Sequence, residues 1–520
     1  MNRRLGILAG AAALVFLCGY THGPLILGPG SGVRTHTPPM VRPLREDVSV
    51  IPIISVGDTL APPDTVTQAF IFAPEPDGLG IRRTSNGLAE IYVAHELSWH
   101  EGFNGARVSR LAIDLRNLGI VAGDYLVDGT EGYTRFCAAS LVGPQDGFLA
   151  PTFLVNEEAI DGIYRGIVVA VDARDGTVRN LPWLGHFSHE ATAIVPVSSG
   201  KIVAILTEDS YPGESQLYMY IADNDTEFLS GRGRLYVFRA DPLEGVPNTR
   251  LASIASKSRS LTGRFVPLYP QEEGGRINVN ELPGRLEAQA QGMGCLNFAR
   301  LEDVTPVKDQ PNAFYFVDTG AEDFFDPVSG RPVTGAGRLY YVRLDPFNPT
   351  HVEELRVVLD GDESDDLYRP DNLATDDRYV WIQEDPGGRG IHTARILRYD
   401  TNTRRVEPMA ECAEWDAKGN YLPRGIGGEW ESTGIVDVSD LFGPDTWLIA
   451  VQAHNLWAPQ FRNRKGGGQL LLLRGPGYAS AKAGEGKSKP AKGSTGKKDS
   501  TEKKDPTEKK DPKRRSGSGG

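Results

Sequence analysis

Cysteine is scarce in this sequence, with four residues among 520. This scarcity excludes a fold held together by a disulfide scaffold, and Cys295 and Cys412 are interpreted as buried thiols or as one disulfide. Helical periodicity is also missing between residues 85 and 475, which argues against a helical bundle. Residues 466–468 are rich in glycine but lack the spacing and the lysine of a phosphate-binding loop.

Positive charge is in deficit as well. The chain has 56 Lys and Arg against 68 Asp and Glu, for a formal net charge of −12. Residues 479–520 alone carry +7, so the rest of the chain carries −19. Such an acidic body is unsuited to binding polyanions through bulk charge and suited to binding cations. We therefore expect no nucleic-acid partner.

The chain begins with a pattern typical of a targeting segment. Arg3 and Arg4 precede an apolar run over residues 5–18, and residues 1–23 together have the composition of a signal peptide. The run is short for a membrane span, although an uncleaved N-terminal anchor is the alternative. The pattern predicts an exported protein that is periplasmic, secreted or held at the cell surface.

The C-terminal segment, residues 479–520, has almost no apolar side chains. It repeats a six-residue unit, KKDSTE and then KKDPTE, from Lys497 onward. Such a segment cannot offset its ordering entropy by burial. We expect a disordered Lys-rich tail that serves as a spacer or as an arm for surface attachment.

Pairs of apolar segments recur six times between these two ends. The first member usually ends in acidic or amide residues, and the second often begins with Gly or Ala and ends near Asp. The pairs are Ile91 to Glu96 with Ala106 to Leu115, Thr152 to Glu158 with Gly166 to Ala173, Val203 to Asp209 with Gly233 to Asp241, Ala313 to Gly320 with Gly337 to Asp345, Tyr379 to Pro386 with Ala394 to Asp400, and Thr446 to His454 with Gly468 to Gly475.

A third element precedes every pair except the first and carries a polar residue in a short apolar context. These residues are Cys137, Glu190, Glu302, Asn372 and Glu431, and each lies 12 to 21 residues before the acidic or amide residue of the next strand. Repeats of about four strands with polar residues at one end predict a β-propeller. We expect an all-β, six-bladed propeller with loop insertions over residues 85–478, after an N-terminal extension and first-blade entry over residues 24–84.

The polar residues of such a propeller would converge on one channel. Carboxylates crowded around an axis repel one another unless cations neutralise them, so the set in register indicates a metal site. Oxygen ligands suit Ca²⁺ or Mg²⁺, and a thiolate among them suits iron. The alternatives are that the acidic residues only close strands by capping turns and that Cys137 is a small buried hydrophobic residue.

The ordered motifs RFCAAS, FLVNEE, GHFSHEATAIVP, VAILTED, NFARLED, RPDNLATDDRYVWIQ and EWESTG followed by WLIAVQAH resemble those of PhoX-type alkaline phosphatases. The resemblance covers roughly residues 85–475. It implies an exported six-bladed propeller with a mixed iron and calcium centre in its channel. The implied activity is hydrolysis of phosphomonoesters.

The resemblance also implies a set of site residues, carried over motif by motif. Arg300 and Glu302 match an Arg-Pro-Glu motif, with Leu301 in place of Pro, and are the implied catalytic residues: the Arg contacts the phosphate and the Glu faces the metals. His454 lies one position away from its place in a Gln-His ending. The implied metal-binding residues are Cys137, Glu157, Glu158, Glu190, Glu208, Asp209, Glu302, Asp371, Asn372 and Glu431.

The predicted function is therefore that of a metal-dependent phosphoester hydrolase with Ca²⁺ and Fe³⁺ as cofactors, acting as a monomer on a small phosphorylated substrate. Two alternatives stay open: a catalytically silent propeller that Ca²⁺ stabilises and that binds a partner, and a Ca²⁺-dependent propeller hydrolase of another ester, such as a lactone. The alternative to phosphate binding by Arg300 is a structural role in an interblade or surface salt bridge. Residues 253–291 interrupt the repeat and are interpreted as an inserted loop or small helix, a candidate cover for the channel mouth.

Overall fold

The structure is a computed structural model, which describes residues 32–60, 69–84, 87–99, 104–210, 214–246, 251–268, 283–364, 366–387, 392–416, 418–461 and 464–485. The predicted signal segment and residues 486–520 of the predicted tail lie outside these ranges. No helix in the described ranges is long and apolar enough to cross a bilayer.

Strands make up most of the ordered structure. The first half of the chain contains β1 (Val41–Pro43), β2 (Ser49–Ser55), β3 (Thr59–Leu60), β4 (Phe70–Ile71), β5 (Pro76–Arg83), β6 (Leu88–His95), β7 (Arg107–Asp114), β8 (Ile120–Val127), β9 (Phe136–Val142), β10 (Thr152–Glu157), β11 (Val168–Asp172), β12 (Val178–Leu181), β13 (His189–Ile194), β14 (Ile202–Glu208), β15 (Ser215–Ala222), β16 (Arg234–Ala240) and β17 (Leu261–Pro267). The second half contains β18 (Asn297–Phe298), β19 (Leu301–Pro306), β20 (Ala313–Asp318), β21 (Arg338–Leu344), β22 (His351–Asp360), β23 (Pro370–Thr375), β24 (Tyr379–Glu384), β25 (Arg395–Asp400), β26 (Arg405–Cys412), β27 (Glu431–Asp437), β28 (Thr446–Ala458) and β29 (Arg464–Arg474).

Helices are few and short in the described ranges. The α-helices are α1 (Asp225–Phe228), α2 (Pro283–Gly292), α3 (Ser439–Phe442) and α4 (Pro476–Glu485), and 3₁₀ turns span Pro144–Asp146, Pro182–Leu184, Ala252–Ile254 and Pro459–Phe461. Helix α4 continues into the segment expected to be disordered. Pro at its first position suits a helix start, and the Tyr478 ring packs under Arg474, which ties this helix to β29.

The strands pair antiparallel with their neighbours in sequence and form a propeller-like arrangement. Four separate sheets contain β5–β8, β9–β12, β23–β26 with β1, and β27–β29 with β2. A ten-stranded sheet joins β13–β17 to β19–β22 through the β17–β22 pair, with β18 attached to β15. The strands β5, β9, β13, β19, β23 and β27, referred to below as the ring strands, contact one another in that order, and β27 contacts β5. The all-β, propeller-like prediction is thereby confirmed.

Three details of strand order differ from the sequence prediction. The first strand pair does have a preceding strand, β5. The partner of β14 is β15 rather than the segment beginning at Gly233, which instead forms the next strand out, β16. The interruption at residues 253–291 contains strand β17, which joins two sheets. The pairing of β17 with β22 joins segments far apart in the chain, which an apolar pattern does not specify, whereas β5 and β15 pair with neighbouring segments and were left out of the predicted repeat.

The N-terminal segment completes sheets that are formed late in the chain. Strand β1 pairs with β26, and β2 pairs with β29, both antiparallel. The extension predicted over residues 24–84 therefore supplies strands to three of the larger sheets, since β5 also lies within it, and β3 and β4 form a separate two-stranded sheet. Closing a ring with strands from both ends of the chain leaves fewer exposed strand edges.

The apolar core lies between neighbouring sheets. Strands such as β10, β14 and β20 are buried along their whole length, because a sheet covered on both faces needs an almost continuous apolar run. Between the sheets of β23–β26 and β27–β29, the rings of Trp381 and Trp447 lie 4.9 Å apart. Both side chains are fully buried.

We expect Trp381→Ala to lower the free energy of unfolding by about 3–5 kcal/mol, because it removes a large ring from this intersheet core and leaves a cavity. Urea denaturation of the full chain measures the change. The control is Phe347→Ala, since Phe347 is 92% exposed. An equal effect of the two substitutions would contradict this assignment of the core.

Candidate metal centre

A β-bulge recurs at the start of five of the ring strands. In each, two residues lie opposite a single residue of the next strand. The pairs are Asp77 and Gly78 opposite Ala94, Cys137 and Ala138 opposite Asn156, Glu190 and Ala191 opposite Thr207, Glu302 and Asp303 opposite Val317, and Asp371 and Asn372 opposite Gln383. Bulges re-aim side chains, and the first residue of every pair carries a carboxylate or a thiol. In the sixth ring strand, β27, Glu431 is the first residue, and the register shift comes later, near Gly434.

The backbone before each bulge follows a common pattern. The residue two positions earlier accepts a hydrogen bond from the N–H just beyond the end of the next strand: Glu96 to Glu75, Glu158 to Arg135, Asp209 to Ser188, Thr319 to Arg300 and Asp385 to Arg369, at 2.9–3.1 Å. Four of these acceptors have left-handed φ values, of 48° at Glu75, 52° at Arg135, 61° at Arg300 and 47° at Arg369. Such strain in non-glycine residues concentrates at functional sites.

Two glycines allow the ring to close tightly. A Cβ on Gly78 would lie 2.2 Å from the backbone nitrogen of Ala139, and a Cβ on Gly434 would lie 2.3 Å from the carbonyl oxygen of Asp77. Both contacts are with backbone that cannot move aside. Glycine at these positions therefore brings β5 close to β9 and β27.

The convergence of these strands creates four overlapping groups of potential ligands. Within each group, one ligand atom per residue lies within 4.8 Å of the others. The groups are Asp77, Glu96 and Cys137; Cys137, Glu158 and Glu190; Glu190, Glu302 and Asp371; and Asp371, Asp385 and Glu431. Cys137, Glu190 and Asp371 each belong to two groups, so the nine residues form a continuous chain of ligand atoms. We refer to them as the acidic centre.

Burial and mutual repulsion disfavour ionisation of the acidic centre. The pKa values of Asp77, Glu190, Glu302 and Asp371 are raised well above normal, first by burial and then by neighbouring carboxylates. Burial likewise raises the pKa of Glu158 to about 8. Two charges 4.8 Å apart repel by about 3 kcal/mol at an effective dielectric constant of about 20. An external positive charge is needed to keep these groups ionised together.

Cys137 lies at the junction of two groups. Its Sγ is 3.5 Å from Asp77 Oδ2, and burial followed by the nearby carboxylates raises the pKa of its thiol well above normal. The other described cysteines, Cys295 and Cys412, are buried and form no disulfide with each other. The open question of a disulfide between them is thus answered in favour of two thiols.

Two arginines supply part of the positive charge. Arg135 Nη2 lies 2.6 Å from Glu158 Oε2 and 2.8 Å from Glu96 Oε1. Arg300 forms a bidentate pair with Asp209, with distances of 3.0 Å from Nε to Oδ1 and 2.6 Å from Nη2 to Oδ2. Arg300 Nη2 also lies 3.5 Å from Glu302 Oε1. Planar guanidinium groups suit such two-point contacts.

Some residues predicted as ligands lie outside the four groups. Glu157 accepts hydrogen bonds from the N–H groups of Thr134 and Gly166, and Glu208 accepts one from Gln216 N–H. Burial raises the pKa of each of these two carboxyls to about 8. Consecutive residues of a strand face opposite sides, so Glu158 and Asp209 face the site while Glu157 and Glu208 bind backbone.

Other predicted residues lie at the edge of the acidic centre. Asn372 is the second residue of its bulge, and its Oδ1 is buried without a hydrogen-bond partner in the described chain. His454 bridges two acids, with Nδ1 2.8 Å from Glu75 Oε2 and Nε2 3.7 Å from Glu431 Oε2. The pKa of His454 is raised well above normal, because these carboxylates outweigh its burial.

Three members of the acidic centre were not among the residues predicted from the sequence: Asp77, Glu96 and Asp385. Asp77 precedes Glu96 by 19 residues, within the spacing seen in the other repeats, and Asp385 follows Glu384 as Glu158 follows Glu157. Gln452, the amide residue in the first strand of the last pair, joins the same site through hydrogen bonds of 2.9 Å from Nε2 to Asp77 Oδ2 and to Glu96 Oε2.

The donor set fits metal cations. Asp77 Oδ1, Glu190 Oε1, Asn372 Oδ1 and Gln452 Oε1 are buried acceptors without a hydrogen-bond donor among the described residues. Buried oxygens without donors are costly unless a proton or a cation reaches them. Carboxylate and amide oxygens suit Ca²⁺, and the thiol among them suits iron.

These features define an all-β, propeller-like protein with a buried acidic centre to which six strands contribute residues. A family model described as alkaline phosphatase PhoX matches residues 123–420, more than half of the chain. The chain belongs to the PhoX alkaline phosphatase family, and the family places it among the phosphatase hydrolases.

Comparison with solved structures agrees at the level of the fold. The PhoX of Pseudomonas fluorescens, solved in complex with vanadate, a transition state analogue, superimposes with a TM-score of 0.59 at 15% identity. The match covers 87% of this chain and 98% of that chain. Trypanosoma rangeli sialidase in complex with the inhibitor DANA matches with a TM-score of 0.38 at 9% identity, over 85% of this chain and 62% of that chain, and supports no further argument. No curated protein sequence matches the chain.

We expect the metal-free protein to lose stability as the pH rises. The folded-state pKa values of the buried carboxyls lie above their unfolded values, near 8 for Glu158, so folding favours the protonated forms. That stabilisation is complete below the unfolded pKa, about 4, and is lost as the pH passes the folded values. Thermal melting of chelator-treated protein from about pH 5 to about pH 9 measures it.

Added Ca²⁺ should reverse this trend, because it binds the ionised carboxylates. Glu158→Gln should flatten the fall in melting temperature of the metal-free protein. A melting temperature that rises from pH 5 to pH 9 without metal would contradict the assignment.

Proposed function

We propose that this protein is a metal-dependent phosphomonoesterase whose reaction takes place at the acidic centre. The family assignment supports hydrolysis of a small phosphorylated substrate. The observation that carries the proposal is the continuous chain of nine potential ligands, drawn from all six ring strands and the loops beside them. Such an array suits a phosphate ester, because bound cations would attract the phosphoryl oxygens.

The ligand chemistry divides the acidic centre into two parts. Cys137 with Glu158 and Glu190 offers one thiolate and two carboxylates, a set suited to Fe³⁺, whereas the all-carboxylate groups suit Ca²⁺. When bound, these metals would lower the pKa of a coordinated water and neutralise charge that develops on the phosphoryl group. Glu157 and Glu208, proposed earlier as ligands, would instead hold the backbone that carries Glu158 and Asp209.

Arg300 is proposed to bind the phosphoryl oxygens. Asp209 holds its Nε and Nη2, which fixes the plane of the guanidinium group. No described residue accepts a hydrogen bond from Nη1, so this group can donate to a substrate oxygen. Because the orientation is set before the substrate arrives, little side-chain entropy is lost on binding. Glu302 would orient Arg300 and contribute to the neighbouring ligand group.

The rest of the organisation is proposed on the strand pairing. The ring of β5, β9, β13, β19, β23 and β27 supports six blades around one channel, with the β17–β22 pair joining the third blade to the fourth. We propose a single propeller unit over residues 85–478, with strands contributed by residues 24–84. Family membership and the pattern of residues 1–23 support export. We further propose a monomer, with a Lys-rich tail available for surface attachment.

We expect the full chain to hydrolyse an aryl phosphate at alkaline pH and to lose this activity on chelation of its metals. Arg300→Gln should lower kcat/KM by about 100-fold or more, and Arg300→Lys by less, because a lysine lacks the planar two-point contact. Arg378→Gln is the matched control, since Arg378 pairs with Asp400 and is half exposed. No hydrolysis by fully metal-loaded protein would contradict the proposed activity.

We expect Cys137→Ser to abolish a visible absorption band of iron–thiolate charge transfer and to lower the iron content of the purified protein, because a serine hydroxyl is a poorer ligand for iron than a thiolate. Cys295→Ser is the control, since Cys295 is also a buried cysteine and lies outside the acidic centre. Metal analysis that finds Ca²⁺ without iron would favour the silent propeller or the hydrolase of another ester.

A further inference from the structure

Three arginines occupy equivalent positions in the repeat. Arg135, Arg300 and Arg369 each lie two residues before a residue of the acidic centre, with φ values of 52°, 61° and 47°. Each accepts through its carbonyl oxygen a hydrogen bond from the residue just beyond the next strand. Because this backbone geometry is shared, the side chains of the three arginines leave the backbone at equivalent positions and in the same direction relative to the ring strands.

The three side chains differ in their partners. The Arg135 guanidinium contacts Glu96 and Glu158, and that of Arg300 contacts Asp209 and Glu302. Arg369 has no ion pair or hydrogen bond from its side chain to any residue that the structure describes. Its residue is 6% exposed, and its Nε is buried without an acceptor. Burying an unpaired guanidinium is costly, so this arrangement points to an anionic ligand.

Arg369 and Arg300 each precede a member of one shared ligand group. Its Nη1 is 3.4 Å from the position that a Cβ would take on Gly387, two residues after Asp385 of the acidic centre. Arg369 leads into Asp371 and Arg300 leads into Glu302, and these two carboxylates share one group with Glu190. An anion bound at that group would therefore have an arginine just before each of two neighbouring ring strands, β19 and β23.

We propose that Arg369 is a second phosphoryl-binding arginine, which together with Arg300 clamps the tetrahedral anion at the group formed by Glu190, Glu302 and Asp371. This inference rests on the proposed function. Arg135 and Arg300 each pair with carboxylates. Arg369 pairs with no carboxylate that the structure describes, so its guanidinium N–H groups can donate to the ligand. Two planar donors from different strands would select a tetrahedral oxyanion over a planar carboxylate.

Inorganic phosphate is the probe that tests the proposal, with metal-loaded full-length protein. Arg369→Gln should weaken competitive inhibition by phosphate about 10- to 100-fold, the range expected for one charge-assisted contact, and Arg369→Lys should weaken it less. The rise in melting temperature that phosphate induces should shrink in parallel. Iron and calcium contents should stay those of the wild type. Arg378→Gln, on the same sheet, should change none of these values.

Unchanged phosphate inhibition and an unchanged melting shift in Arg369→Gln would overturn the proposal. So would failure of both Arg369 variants to fold, which would assign the side chain to the architecture, and so would the absence of any phosphate-induced shift in the wild type. Wild-type protein that binds phosphate but hydrolyses no ester would contradict the proposed function alone, and the melting shift would then decide the role of Arg369.

Discussion

The structure depends on the burial of many acidic groups in one small volume. Nine potential ligands lie in overlapping groups, each within 4.8 Å, and repulsion between neighbouring carboxylates would disrupt a fold that offered no compensation. Internal cations provide some of it, since Arg135 and Arg300 each contact two carboxylates. The remaining oxygens without donors require protons or metal ions. Stability and ion binding are therefore properties of the same residues.

The fold meets this constraint by repeating one local backbone arrangement in the ring strands. In five ring strands a residue, left-handed in four of them, accepts a hydrogen bond from the next strand, and a bulge two positions later carries a carboxylate or thiol of the acidic centre. The strain at Glu75, Arg135, Arg300 and Arg369 is offset by the large apolar core between sheets. The side chain at the accepting position differs between copies: it is glutamate at one, serine at one and arginine at three.

Much of this organisation was predictable from the sequence because strands and repeats leave local patterns. The spacing between Cys137, Glu190 or Glu302 and the following acidic strand end follows the length of two antiparallel strands and their turn. Asp77 was missed although it obeys the same spacing, because its strand is short of apolar residues at the start. Glu157 and Glu208 were selected beside Glu158 and Asp209, since a pattern of two adjacent acids does not tell which one faces inward.

The sequence by itself determined the strand-rich character, the repeat and the concentration of carboxylates with one cysteine at fixed positions, because these depend on neighbours close in the chain. Only the tertiary structure decided that β1 and β2 complete sheets formed by the last strands, that β17 joins β16 to β22 in one sheet, and that Glu158 rather than Glu157 enters the acidic centre. It also decided that Arg135 and Arg300 are already paired whereas Arg369 is not. Those outcomes depend on register, bulges and contacts between residues hundreds of positions apart, and these are set when the ring closes.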